Sequence, residues 1–205
     1  MKQRMAAPKG DVSRQTSSDK RETIIDAAFD LFRHYGYRRT SMEDIARAAG
    51  VAKGTLYLYF ASKEELFEAI ARMLAARMLE AVREAAARDL PLEEQFLGVL
   101  DAKLGAVWRW IYSSPHAAEL LDPQHQLPDD IFTEVDTTFR AVMARLIEKG
   151  MESGELDPKA AGLTAETAAA TLVTAAYGAE KAPDEAEFRK TLANIVRLTL
   201  RGLRA

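Results

Sequence analysis

The chain has no cysteine among its 205 residues. That excludes disulfides, a thiol nucleophile and a thiolate metal site, and it suits a reducing compartment. Long apolar runs are missing too: no segment reaches the ~20 apolar residues that span a bilayer, so no membrane association is expected. Basic residues stand near the N-terminus with no apolar stretch after them, so the sequence reads as cytoplasmic rather than secreted. Histidine is scarce, with three residues. His116 and His125, near Glu119 and Asp122, follow no established ligand spacing, and His34 reads as a surface residue at a helix end. No catalytic residue, metal or cofactor is assigned, and the chain is not expected to be an enzyme. Strand signals are essentially absent, because no convincing run alternates with period two.

What is present is helical periodicity on an ordinary globular composition, 48% hydrophobic, at a length that suits one large or two small domains. The most specific stretch is residues 40–63. Thr40 followed by Glu43 fits a capping box, so a short helix is expected to begin near Ser41. Ile45, Ala46 and Ala49 give it one apolar face, and Gly50 supplies the left-handed turn that glycine adopts at little cost. A second helix is expected from Lys53, with Leu56 and Phe60 inward and Lys53, Gly54, Thr55, Tyr57, Leu58 and Tyr59 outward or at the edge.

Two short helices joined at a glycine, the second presenting lysine and tyrosines, form a helix-turn-helix DNA reader. The Lys53-Gly54-Thr55 start can meet a backbone phosphate, with Gly54 removing side-chain bulk. Thr55, Tyr57 and Leu58 are the candidate base readers, and Leu58 can touch only apolar groups such as a thymine methyl. Neither Arg nor Gln lies on this face, so specificity is expected to lean on DNA shape or on residues elsewhere. The bland reading of Tyr57 and Tyr59 is packing with wet hydroxyls.

Charge is divided by position. Residues 1–63 hold twelve Lys and Arg against seven Asp and Glu, and the remainder holds sixteen against twenty-four. The positive field thus sits with the motif, while an acidic body is discouraged from lying on DNA.

The run Ile45-Ala46, Ala49-Gly50-Val51, Gly54-Thr55-Leu56-Tyr57, Tyr59-Phe60 and Ser62-Lys63-Glu64 with Leu66 resembles the DNA-binding domain of the tetracycline-repressor (TetR) family of one-component regulators. The resemblance extends back through an amphipathic helix from Arg21 to Tyr35 and covers about the first third of the chain. Beyond it, only length, helical content and the Gly150 to Leu156 segment are similar. The resemblance implies that Thr40, Lys53, Gly54, Tyr57, Tyr59 and Lys63 touch DNA, and Ser41 joins them as a candidate at the start of the motif. Tyrosine at 59 departs from the family's frequent histidine and keeps a ring with a polar tip.

From Ser62 onward helices are expected over about 62–88, from Pro91 to about Ser113, over 116–121, from Asp129 to about Gly150, and over 158–180 and 184–203, with a loop at 122–128. The last two are rich in alanine and aliphatic residues. Ala168, Leu172, Leu192, Ile195 and Val196 are candidates for a homodimer face, and the alternative is that both helices complete the monomer's core. Trp108, Tyr112, Phe139, Met143 and Tyr177 are candidates for lining an apolar pocket for an unknown small molecule, against a plain core reading.

The expected organisation is therefore all-α. An arm at 1–18, disordered or following a groove, precedes a three-helix helix-turn-helix domain at 19–65, with its motif at 41–60. A larger ligand-binding and dimerisation domain at 66–205 follows. The expected function is a DNA-binding transcriptional regulator on a near-palindromic operator, a repressor released by a small-molecule effector. The alternative is a helical interaction protein without DNA binding.

Overall fold

The computed structural model describes residues 11–116, 119 and 129–204, with side chains from residue 18 onward. Helix α1 (Asp11–Tyr35) buries Ile24, Ile25, Ala28 and Phe32, a stripe at helical spacing. It already includes residues 11–18, so that part of the expected arm is the first turns of a helix, and residues 1–10 lie outside the described residues. The expected helix at 116–121 and loop at 122–128, with His125, also lie outside them, apart from His116 and Glu119.

Helix α2 (Met42–Ala48) starts one residue later than the capping box expected from the sequence. Ser41 is the N-cap: its hydroxyl accepts from the Asp44 N–H at 3.2 Å, and the Asp44 carboxylate accepts from the Ser41 N–H at 3.2 Å. Asp at the third helical position does the work expected of Glu43. Thr40 instead donates back to the Gly36 carbonyl at 2.8 Å and is buried. Gly50, at φ 66°, ends α2 in the left-handed conformation and turns the chain into α3 (Lys53–Tyr59).

Ser62 caps α4 (Lys63–Ala87), accepting from the Glu65 N–H at 3.2 Å. Helix α5 (Leu92–Leu100) continues helically through two π-type turns, Asp101–Gly105 and Trp108–Tyr112. Such turns are rare and cluster at functional sites. Helix α6 (Asp129–Glu152) packs along the next long element. The single helix expected over 158–180 is broken. A 3-10 turn (Pro158–Ala161) runs into Gly162 at φ 71°, and Thr164 and Thr167 form a new capping box that starts α7 (Ala165–Ala176). A second 3-10 turn (Tyr177–Lys181) and the Asp184 cap lead to α8 (Glu185–Gly202). Among the described residues, extended backbone pairs only in one isolated bridge, Leu156 to Arg204, and no helix is long and apolar enough to cross a membrane.

Two apolar cores result. The head core gathers Ile24, Phe32, Tyr37, Ile45, Leu56 and Phe60 from α1 to α3, together with Leu66, Ala69 and Ile70 of α4. The body core gathers Val82 and Ala85 of α4, Phe96, Leu100, Phe139, Met143, Ile147, Leu172, Phe188 and Val196. The expected boundary at 65/66 falls inside the first turn of α4, which passes unbroken from one core to the other.

The dimer-face candidates need correction. Ala168, Leu172, Leu192 and Val196 are buried within the chain's own core, and Ile195 is half-buried against it. The apolar excess of α7 and α8 is spent on α5 and α6. Leu172→Ala should therefore cost about 2–5 kcal/mol in denaturant unfolding, the range for a core leucine. The loss should be the same at every protein concentration. A loss that shrinks as protein is concentrated would return Leu172 to an interface.

Candidate nucleic-acid interface

Helix α3 is held to the head by Leu56, which is fully buried, and by Phe60 at its C-cap. The Arg21 guanidinium lies 5.1 Å from the Phe60 ring centroid and covers its outer side. With that flank fixed, the other must face outward. Lys53, Gly54, Tyr57 and Leu58 are exposed, and Thr55 and Tyr59 stand at the rim. Leu58 is 86% exposed, which nothing inside the protein explains.

Two features make this a surface built for an approaching partner. Ala52 at the N-cap offers no side-chain acceptor to the first N–H groups of α3. An added Cβ at Gly54 would meet nothing within 4 Å, so internal packing does not call for glycine there. The space beside it is open, which leaves room for an outside group to approach the backbone.

Lys53 is exposed and ion-paired with Glu43 of α2. Their hydrogen bond raises the Lys53 pKa and lowers that of Glu43. An exposed pair of this kind adds little stability, so a phosphate can take the place of the Glu43 carboxylate. Local spacing assigns Glu43 to a capping box. Its actual place, paired with Lys53, depends on how α2 crosses α3 and has no local signature.

Three other candidates look inward. Lys63 donates from Nζ to the carbonyls of Tyr37 at 2.8 Å and Thr40 at 3.1 Å, and lies 4.3 Å from the Tyr37 ring centroid. It ties the start of α4 to the loop before α2. Tyr37 donates to the Glu64 carboxylate at 3.2 Å, and burial, then the negative charge of Glu64, pushes its pKa well above the ordinary tyrosine value. The Thr40 hydroxyl is committed to Gly36, and the Ser41 hydroxyl lies 2.6 Å from Asp44. Lys53, Gly54, Thr55, Tyr57, Leu58 and Tyr59 thus share one short helix, while Thr40, Ser41 and Lys63 carry hydrogen bonds within the head.

A second feature lies at the seam between head and body, a cavity of about 450 Å³. Phe29 and Phe32 of α1 and Phe67 and Ile70 of α4 form its head side. Lys103, Val107, Trp110 and Ile111 beyond α5, Val135 and Asp136 of α6, and Tyr177 form its body side. Of the pocket candidates, Tyr177 is on this wall. Trp108 instead stacks on Phe188, with centroids 5.9 Å apart. Tyr112 donates to Glu180 at 3.3 Å, and Phe139 and Met143 are fully buried in the body core.

A profile described as "Bacterial regulatory proteins, tetR family" matches residues 24–70, which hold α2, α3 and their supports. The HTH-type transcriptional repressor KstR2 of Rhodococcus jostii is 30% identical over 142 residues, covering 67% of this chain and 68% of that repressor. The chain belongs to the TetR family. A TetR-family chain of this kind is a DNA-binding transcriptional regulator. An HTH-type transcriptional regulator of Bacillus subtilis, YhgD, is 27% identical over 92% of this chain and 99% of its own length. A TetR/AcrR-family regulator from Thermobifida fusca superposes with a TM-score of 0.68 at 28% identity, covering 91% of this chain and all of that one. The likeness to TetR-family relatives over more than nine-tenths of the chain includes the body as well as the reading head.

A charge facing phosphate is detected by its salt dependence. Lys53→Ala should reduce the slope of log affinity against log salt by about one unit. Glu43→Gln, which frees Lys53, should tighten binding at low salt. If Lys53→Ala leaves the slope unchanged, Lys53 does not meet phosphate.

Proposed function

We propose that the protein is a repressor that binds a near-palindromic operator as a homodimer and is released by a small molecule entering the seam cavity. Lys53, Gly54, Thr55, Tyr57, Leu58 and Tyr59 make the DNA contacts. Leu58 meets a thymine methyl, and the tyrosine hydroxyls meet phosphates or base edges. The body is residues 66–205 and the head residues 19–65, with α4 belonging to both.

The observation that carries the release mechanism is the composition of the cavity wall: side chains of α1 and α4 that pack in the head face side chains of the body across one open space. A molecule that fills the space contacts both, so its affinity depends on how they are placed. That differential affinity is all a ligand needs to shift an equilibrium, and about 1–3 kcal/mol is the usual scale of such coupling.

Homodimerisation is supported by what remains outside once the core is counted. Leu198 of α8 is 71% exposed, and Ile195 is half-exposed on the same side. Thr167, Thr171 and Thr174 line the outer side of α7. These small and apolar outer positions, rather than the inner leucines, suit a twofold four-helix contact. The cytoplasm is the compartment such a regulator works in.

Titration of the full-length protein against its own upstream promoter fragment tests this reading. Binding should fall steeply with salt, saturate at two chains per palindromic footprint, and lower transcription from a linked reporter. No shift of that fragment or of any genomic duplex at low ionic strength would remove it.

A further inference from the structure

The seam cavity carries charge at one place. Its wall is apolar except for the Trp110 indole edge and a cluster of Lys103, Asp136 and Tyr177. Lys103 is 6% exposed, so its ammonium is out of water, which is costly unless something compensates it. It donates to Asp136 Oδ1 at 3.1 Å and to the Tyr177 hydroxyl at 2.8 Å, and it lies 4.3 Å from the Phe139 ring centroid. Tyr177 in turn donates to Asp136 at 3.3 Å.

The carboxylate of Asp136 is shared. Arg140 donates to its other oxygen at 2.6 Å, so two cations divide one anion. Burial alone would raise the Asp136 pKa, but the hydrogen bonds from Arg140 and Lys103 hold it below the usual carboxylate range. Glu180 also feels Lys103, yet it accepts from Tyr112 and is not part of the cavity wall. Burial raises its pKa, while the Tyr112 hydrogen bond and Lys103 oppose that. On the cavity wall itself Lys103 meets one carboxylate, Asp136, and has to share it with Arg140.

We propose that the cavity takes an apolar monocarboxylic acid, its hydrocarbon body along Phe29, Phe32, Phe67 and Trp110 and its carboxylate on Lys103 and Tyr177. This rests on reading the cavity as the effector site. The acid gives Lys103 a carboxylate that it does not share. Asp136, whose side chain is 42% exposed, keeps Arg140 as its partner when the ligand takes up Lys103. An amine of the same body would meet a carboxylate already engaged by two cations, and a neutral molecule would offer Lys103 no charge. The volume lies in the usual range for a small-molecule site.

Isothermal titration of the full-length protein with octanoate, dodecanoate and phenylpentanoate, each beside the matching alcohol and amine, tests the proposal without DNA. At least one acid should bind, and should bind about tenfold or more tighter than its alcohol and amine, the scale of one charge-assisted hydrogen bond. Lys103→Met should abolish that preference while binding of the alcohol persists. Equal binding of acid and alcohol to the unaltered protein overturns the proposal, as does the absence of binding by every acid. Equal binding in the unaltered protein needs no variant, so misfolding of Lys103→Met cannot hide the answer. Promoter affinity is measured separately. Acids that bind without changing it keep the ligand class and remove the release mechanism, and release by an alcohol or amine alone does the reverse.

Discussion

Helix α4 puts Leu66, Ala69 and Ile70 into the head core and Val82 and Ala85 into the body core, and no break in its backbone separates them. An unbroken helix resists bending because each turn is hydrogen-bonded to the next. The head therefore cannot change its position relative to the body unless α4 tilts as a rod or its packing slides. Other contacts across the joint are polar: Ser114 donates to the Arg33 carbonyl at 2.9 Å, and Glu119 accepts from the Arg38 N–H at 3.0 Å. Arg72 of α4 reaches Asp130 at the start of α6, and Arg77 reaches Asp26 of α1, both in exposed pairs. Such pairs contribute little and re-form readily. Beside them lies the cavity, where α1 and α4 lack the close packing found in both cores. The protein thus has two firm units joined by a continuous helix, a few polar contacts and a poorly filled seam, an arrangement that gives a small molecule leverage.

The reading head works on a similar division between firm and free groups. Leu56 and Phe60 fix α3, and Lys63 fixes the loop behind it by donating to two carbonyls. The outward residues are left with few internal duties. Lys53 has only exposed partners among the described residues, Glu43 and the Tyr57 ring, and Leu58 is 86% exposed. A basic head above an acidic body also orients the molecule before contact is made.

Much of this was legible in the sequence, and what was not has physical reasons. The helices, the turn at Gly50 and the outward face of α3 follow from spacing and from glycine's access to positive φ, both local properties. The capping residue was misplaced by one because Thr40-Glu43 and Ser41-Asp44 are overlapping solutions to the same local problem, and only packing selects between them. The internal role of Lys63 is not legible, because nothing in its neighbours announces that two carbonyls, 23 and 26 residues away, converge on it. The break at Gly162 is masked by alanine-rich sequence on both sides, which suggests helix, although Thr164 and Thr167 mark a fresh start. The pocket shows the limit most clearly. Periodicity put Trp108 and Tyr112 on one flank but could not say which flank the body would leave open. That flank faces Phe188 and Glu180, and the adjoining one, with Lys103, Val107 and Trp110, faces the cavity. Likewise, apolar surplus on α7 and α8 is visible in sequence, but whether a copy or the chain itself covers it is a tertiary fact.

The central claim is that occupancy of the seam, acting through α4, controls the head. Ala75 of α4 lines the cavity, so Ala75→Phe places a fixed ring where a ligand would sit. The direct measurement is the promoter affinity of this variant at one salt concentration, with thermal unfolding checked in parallel. The variant should fold, no longer bind a cavity ligand and bind the promoter more weakly, with an unchanged salt slope because the phosphate contacts are intact. A folded variant whose cavity is filled and whose promoter affinity equals that of the unaltered protein would contradict it.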